Sequence, residues 1–136
     1  MEDLLSGKKH PSSSNPIPRV ITVANQKGGV GKTTTAINVA TCLAEIGNKV
    51  LIVDFDPQAN ATSAVGIEPG TFQESIYEIL LEQSDINKCI LSTEWPGLSI
   101  APATRDLSGA ETKKKFCDEL VNFLTPIKFV FNFYLF

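Results

Sequence analysis

Apolar residues in this chain fall into short dense runs separated by polar, glycine-bearing stretches, and their spacing changes from run to run. "RVITVAN", beginning at Arg19, is β-branched and apolar and leads into a glycine-rich turn, which predicts a buried parallel strand opening a strand-loop-helix unit. From about Lys32 to Ile46 the period lengthens. Ala36, Val39, Ala40, Leu43 and Ile46 recur on one helical face, Cys42 fits as a small core residue, and Gly47 suits the C-terminal stop. "KVLIVDFD", Lys49 to Asp56, is a second near-continuous apolar run, ending in two aspartates. Strand, loop, helix, strand is a βαβ unit, which builds parallel sheets with sites at the C-terminal ends of the strands. The glycine turn and the aspartate pair both fall at that edge.

Farther along, Thr71 and Glu74 have capping-box spacing ahead of Ile76, Ile79 and Leu80, predicting a helix of about three turns. "WPGLSIAPA" predicts a turn and a short strand near Leu98 to Ala101, with Trp95 packing beside the turn. A helix from about Asp106 to Leu124 follows, carrying Leu107, Ala110, Cys117, Leu120, Val121 and Leu124 at helical spacing and closed by Pro126. Its run Lys113, Lys114 and Lys115 is either a solvated face or a phosphate-backbone contact. The final "KFVFNFYLF" combines strong β-propensity with almost no charge, an aggregation hazard if it is left unpaired. The chain has no internal repeat, and no apolar segment reaches the roughly eighteen residues that would span a membrane.

Composition narrows the picture. A chain of 136 residues that is 43% hydrophobic is long enough for one globular domain with its own core and too short to argue for two domains. A net charge of −3 argues against a surface built throughout to attract nucleic acid, though a local basic patch is compatible with it. Cys42, Cys89 and Cys117 are far apart and lack metal-ligand spacing, so neither a disulfide framework nor a zinc site is expected, and a reducing cytoplasm fits best. Residues 1–18, crowded with Ser, Pro and Lys and without a signal peptide's apolar centre, read as a disordered leader in which His10 is simply solvated.

The chemistry concentrates in "ANQKGGVGKTTT", Ala24 to Thr35. The pattern G-x-x-x-x-G-K-[ST] fits it only with Gln26 where the first glycine belongs, and Lys27 adds a second lysine. Gly28, Gly29 and Gly31 permit backbone geometries and close approaches that side chains would block. Successive amides can therefore converge on phosphate oxygens at the positive end of the following helix. Lys32 would neutralise the β and γ phosphates, and the Thr33 hydroxyl suits Mg²⁺, which prefers hard oxygen ligands.

The run "KGGVGKTT" resembles the deviant Walker A motif of the ParA/Soj, MinD and nitrogenase iron protein group of dimeric P-loop ATPases. Within that group the chain is similar to ParA/Soj, the partition ATPases that move or position chromosomes and plasmids. The likeness covers about Arg19 to Lys128 and rests on "ANQKGGVGKTTTAINVA", "VLIVDFDPQANATSAVG" and, more weakly, "APATRDLSGAE". "DPQANAT" after the second strand separates it from MinD-like chains, and the cysteines are wrongly placed for a nitrogenase-type cluster.

The resemblance implies an α/β fold with a P-loop NTPase-type parallel sheet flanked by helices. It implies ATP and Mg²⁺ as cofactors, with Gly28, Gly29, Val30, Gly31, Lys32, Thr33 and Thr34 on the nucleotide and Thr33 and Asp56 on the metal. Lys27, Lys32 and Asp56 would be catalytic. Lys27 would reach across a nucleotide-sandwich homodimer to the partner's phosphates, and Asp56 would order the Mg²⁺ shell and the attacking water. Asp54 would support that shell or would serve as a turn residue. A centromere-binding ParB-type protein and nonspecific DNA are the implied partners, with no membrane and a cytoplasmic location.

Two departures qualify this. Ala59 stands where the family usually has glycine. No acidic residue follows Glu119, so the apolar run 129–136 lacks a Walker B aspartate. The expected organisation is a leader over 1–18, the N-terminal part of a ParA-type domain over 19–128, and an apolar tail over 129–136 of a truncated chain. The functional expectation is Mg-ATP hydrolysis, with a nucleotide-binding module lacking turnover, or a non-functional fragment, as alternatives.

Overall fold

The computed structural model describes residues 19–25, 27–81 and 83–109, together with the backbone of Phe129–Tyr134. Residues 1–18 with His10, Gln26 in the glycine loop, and Lys113–Lys115, Cys117 and Pro126 lie outside the described residues. Among the described residues, five strands form one sheet in the order β1-β5-β2-β4-β3. These are β1 (Arg19–Ala24), β2 (Val50–Phe55), β3 (Leu91–Ser92), β4 (Leu98–Ala101) and β5 (Phe129–Tyr134). The pairs β1–β5, β5–β2 and β2–β4 are parallel, and only the two-residue β3 runs antiparallel, at the edge beside β4.

All six residues of β2 are buried because both faces of this strand are covered. Side chains alternate across a strand, so Leu51, Val53 and Phe55 join one core with Ile76, Leu80, Cys89 and Ala101. Val50 and Ile52 join a second core with Ala36, Ala40, Ala44, Leu98 and Ile100. The first core lies under the short helices α3 (Ile76–Leu80) and α4 (Ile86–Cys89), and the second under α1 (Lys32–Glu45) and α2 (Asn60–Ala64). A strand buried on both sides needs no polar alternation, which is why "VLIVDF" is almost wholly apolar.

Helix α1 ends within one residue of its expected limit, and Gly47 has φ +87° just beyond it. Its packing face is narrower than the apolar pattern implied. The ladder Ala36, Ala40 and Ala44 lies on the sheet, while Val39 is 42% exposed, Ile46 is 76% exposed and Cys42 is exposed rather than in the core. Three alanines four residues apart let the helix approach the sheet along one line, and residues farther round the cylinder face away from it.

β1 also departs from expectation: it is an edge strand and largely exposed, not buried. Among the described residues only β5 pairs with it, so one of its sides has no neighbouring strand. Conversely, the aromatic run at the end of the sequence is not left unpaired. β5 lies between β1 and β2 and pairs with both along its full length.

The expected capping box is displaced. Thr71 Oγ1 instead donates to the Glu68 carbonyl at 2.7 Å within a turn. The box belongs to Ser75 and Glu78: Tyr77 N donates to Ser75 Oγ at 3.1 Å, and Ser75 N donates to Glu78 Oε2 at 2.7 Å. Helix α3 is five residues long, not three turns. Trp95 packs against the second core beside the Gly97 turn, and β4 spans the residues expected of it. From Arg105 to Gly109 the chain forms a 3-10 turn, and the rest of the helix expected there lies outside the described residues.

Candidate functional site

The register Ala24↔Tyr134↔Phe55 brings β1, β5 and β2 to an end at the same level, and the loops after β1 and β2 emerge side by side. The first is the glycine loop. Asn25 Oδ1 accepts from Lys27 N at 2.9 Å, turning the chain out of the strand, and Gly29 and Gly31 have φ of +70° and +83°. Gly31 is the N-cap of α1, and the first helical bond runs from Thr35 N to Gly31 O at 2.9 Å. The amides that precede this bond have no intrahelical acceptor, so they form a positive helix end facing the cleft.

Gly28 is informative because its φ is not left-handed and a Cβ built on it would meet nothing within 4 Å. Neither strain nor internal packing asks for glycine here. Gly97 is the contrasting case, where an added Cβ would stand 2.8 Å from the Asn48 carbonyl oxygen.

The second loop starts at Asp56, which directly follows β2 and is buried. Its Oδ1 accepts from Gln58 N at 2.8 Å and its Oδ2 from Asn60 Nδ2 at 3.0 Å. Asn60 Nδ2 also donates to Gln58 Oε1 at 3.2 Å. Ala59, with φ +52°, is the one non-glycine among the described residues in the left-handed region, and it caps α2. That backbone conformation explains why glycine would be favoured there.

The two loops enclose a cleft of about 470 Å³ lined by Gly28, Gly29, Val30, Gly31, Lys32, Thr33, Thr34, Asp56, Gln58 and Asn60. All the residues expected on a nucleotide, together with Asp56, therefore share one cavity. Lys27 is exposed and does not line it. The Lys32 ammonium donates to the Lys27 carbonyl at 2.8 Å, a neutral acceptor that leaves its charge uncompensated for an anion. Gln58 and Asn60 carry no site expectation from sequence, although polar residues two and four positions after the aspartate that follows β2 are a usable signal.

Asp54 does not line the cleft. It is fully buried, its Oδ1 accepts from Asp56 N at 3.0 Å, and its Oδ2 accepts from Thr62 N at 2.9 Å and Thr62 Oγ1 at 2.7 Å. Burial pushes its carboxyl above the ordinary aspartate value, against the opposing pull of Thr62 and the two amides, and the Asp56 charge adds to the rise.

Among the described residues no group of three or more His, Cys, Asp or Glu could hold a metal ion, so no all-protein cage is formed. The donors at the cleft, the Thr33 hydroxyl and the Asp56 carboxylate, are hard oxygens and few. That set fits Mg²⁺, which is usually held by one or two protein oxygens with phosphate and water completing its shell. No helix among the described residues is long and apolar enough to cross a membrane.

A family model described as an AAA domain matches residues 18–134. The chain is 50% identical over 93 residues to the sporulation initiation inhibitor protein Soj of Bacillus subtilis, covering 68% of this chain and 37% of that protein. It is 48% identical over 99 residues to the chromosome partitioning protein ParA of Caulobacter vibrioides, covering 73% and 37%. Its fold matches cobyrinic acid a,c-diamide synthase from Mycobacterium smegmatis, solved with bound ATP analog and magnesium. That match has a TM-score of 0.78 and 34% identity, over 85% of this chain and 50% of the other. The chain thus spans well under half the length of either sequence relative.

Proposed function

Because this chain belongs to the AAA domain family of ParA/Soj-type partition ATPases, we propose that its cleft binds Mg-ATP and that the bound β–γ phosphoanhydride is hydrolysed in a nucleotide-sandwich dimer. The observation that carries this reading is Gly28, a glycine required by neither conformation nor packing, on the rim of a cleft beside a free helix end and the Lys32 ammonium. Open space next to backbone amides is what a polyphosphate needs in order to approach them.

The amides of Gly28 to Thr34 would cradle the phosphates, and Lys32 would exchange its bond to the Lys27 carbonyl for phosphate oxygens. Thr33 and Asp56 would hold Mg²⁺, which when bound supplies charge neutralisation at the phosphate oxygens. Asp56, fixed by Gln58 and Asn60, would orient a water for in-line attack. Lys27, exposed at the mouth, would serve the partner's nucleotide, as an arginine finger does. As in intact relatives of this family, turnover would be coupled to dimerisation, nonspecific DNA and a ParB-type partner in the cytoplasm, for chromosome or plasmid partitioning.

One observation favours a second reading, binding without turnover. β5, "FVFNFY", runs between the strands that carry the two loops and contains no carboxylate, where a Walker B aspartate would be sought.

Thermal unfolding with and without Mg-ATP, repeated for Lys32→Ala, tests the proposal. Saturation at about a hundred times Kd stabilises a binding-competent state by roughly 2.7 kcal/mol. No shift in the parent chain defeats both readings. A shift without phosphate release selects the second.

A further inference from the structure

Asp56 is held at the cleft by a loop whose two ends converge on one buried carboxylate. Asp54 takes the Asp56 amide on one oxygen, and the Thr62 amide and hydroxyl on the other. Residues 56–62 are thereby closed into a ring, with Ala59 in its left-handed turn at the far side. The Thr62 hydroxyl also accepts from Ala103 N at 3.0 Å, in the segment that follows β4. That segment is anchored in turn to α3, because Pro102 O accepts from Ile76 N at 2.9 Å. Thr62 and Asp54 are fully buried and Ala103 nearly so, so loss of a partner leaves a polar group out of reach of bulk solvent.

We propose that Thr62 is a positioning residue for the metal side of the site: its hydroxyl, shared between Asp54 and the Ala103 amide, holds the Asp56 loop in the conformation that receives magnesium-bound polyphosphate. The inference deepens the nucleotide reading and rests on it. The glycine loop runs from β1 into α1 and, among the described residues, makes no hydrogen bond to this network. Loss of the hydroxyl therefore weakens the magnesium-dependent part of binding and spares the part supplied by the loop amides.

The test is calorimetric titration of the 136-residue chain with a nonhydrolysable ATP analogue, in excess Mg²⁺ and in EDTA. Thr62→Val is expected to lose about tenfold of the affinity gained from magnesium, with EDTA binding unchanged, and Thr62→Ser to retain the gain. An unchanged magnesium gain in Thr62→Val overturns the inference, as does an equal loss in both media or a loss in Thr62→Ser as large as in Thr62→Val. Absence of binding by the parent chain in either medium removes the nucleotide reading itself. If Thr62→Val does not fold, hydrogen exchange in the parent decides. Protection of the Ala103 amide before nucleotide is added supports a preset clamp, and exchange at the rate of an open loop overturns it.

Discussion

The Asp56 amide donates to the Asp54 carboxylate at 3.0 Å, so two aspartates separated by one residue divide the work of the loop. Asp54 points into the protein and organises backbone, while Asp56 borders the cleft. Residues two apart share a face of a strand, so the division comes from position along the chain: Asp54 lies within β2, and Asp56 lies just past its end where the loop begins.

This arrangement has a pH signature. The folded-state pKa of Asp54 is raised above 3.8, so between the unfolded and folded values the native state carries a proton that the unfolded state has released. Stability from this group is therefore highest at the acidic end of the window and falls as pH rises through the folded value. Asp54→Asn lacks this term. Urea denaturation of both proteins is expected to show a stability difference, parent minus variant, that shrinks from about pH 4 upward.

Gly28 and Gly97 should respond oppositely to alanine. Gly28→Ala meets open space and should alter stability by no more than about 0.5 kcal/mol, yet abolish the melting shift caused by Mg-ATP. Gly97→Ala combines φ +85° with a backbone clash at 2.8 Å and should destabilise by about 2–4 kcal/mol. Paired melts with and without nucleotide distinguish the two.

At the start of α3, Ser75→Ala should cost about 1 kcal/mol through the lost cap, whereas Thr71→Ala, in an exposed turn, should cost less than half of that. Denaturant midpoints at constant m-value provide the comparison.

The cysteines should differ in reactivity. Cys42 is exposed on α1, while Cys89 is buried and its thiol is pushed up to about 12, chiefly by burial, with Glu78 and Glu74 adding to the rise. Alkylation near pH 8, resolved peptide by peptide, should modify Cys42 within the native state and Cys89 only once the chain unfolds.

Ala59→Gly should be close to neutral. Relief of the left-handed strain, about 1–2 kcal/mol, is offset by loss of a buried methyl at about 0.8 kcal/mol and by the greater unfolded-state entropy of glycine. Ala59→Val keeps the strain and adds a β-branch, so chemical denaturation should show a loss of about 2 kcal/mol or more.

What could be read from sequence was what local rules govern. The glycine loop, α1, β2, β4 and Asp56 announce themselves through spacing and residue type, and they converge on one cleft. Exposure was less legible. Val39, Ile46 and Cys42 look like core residues until the sheet leaves them no surface to cover, and β1 looks buried until its neighbours are counted. Thr71 and Ser75 both satisfy the spacing of a capping box, and the choice of Ser75 follows from Ile76 docking on the Pro102 carbonyl, a contact remote in sequence. Thr62 was invisible for the same reason: its partners Asp54 and Ala103 come from different strands' ends.

The insertion of β5 between β1 and β2 sets a timetable for biosynthesis. Arg19 must wait for Phe129 before the first strand has a lateral partner among the described residues. A ribosome will have released the glycine loop and both of its flanking elements long before the sheet can close around them. The early chain must therefore keep a hydrophobic strand safe while its match is still being translated. Pairings so distant along the chain form slowly, and this one falls at the junction that holds the two loops side by side.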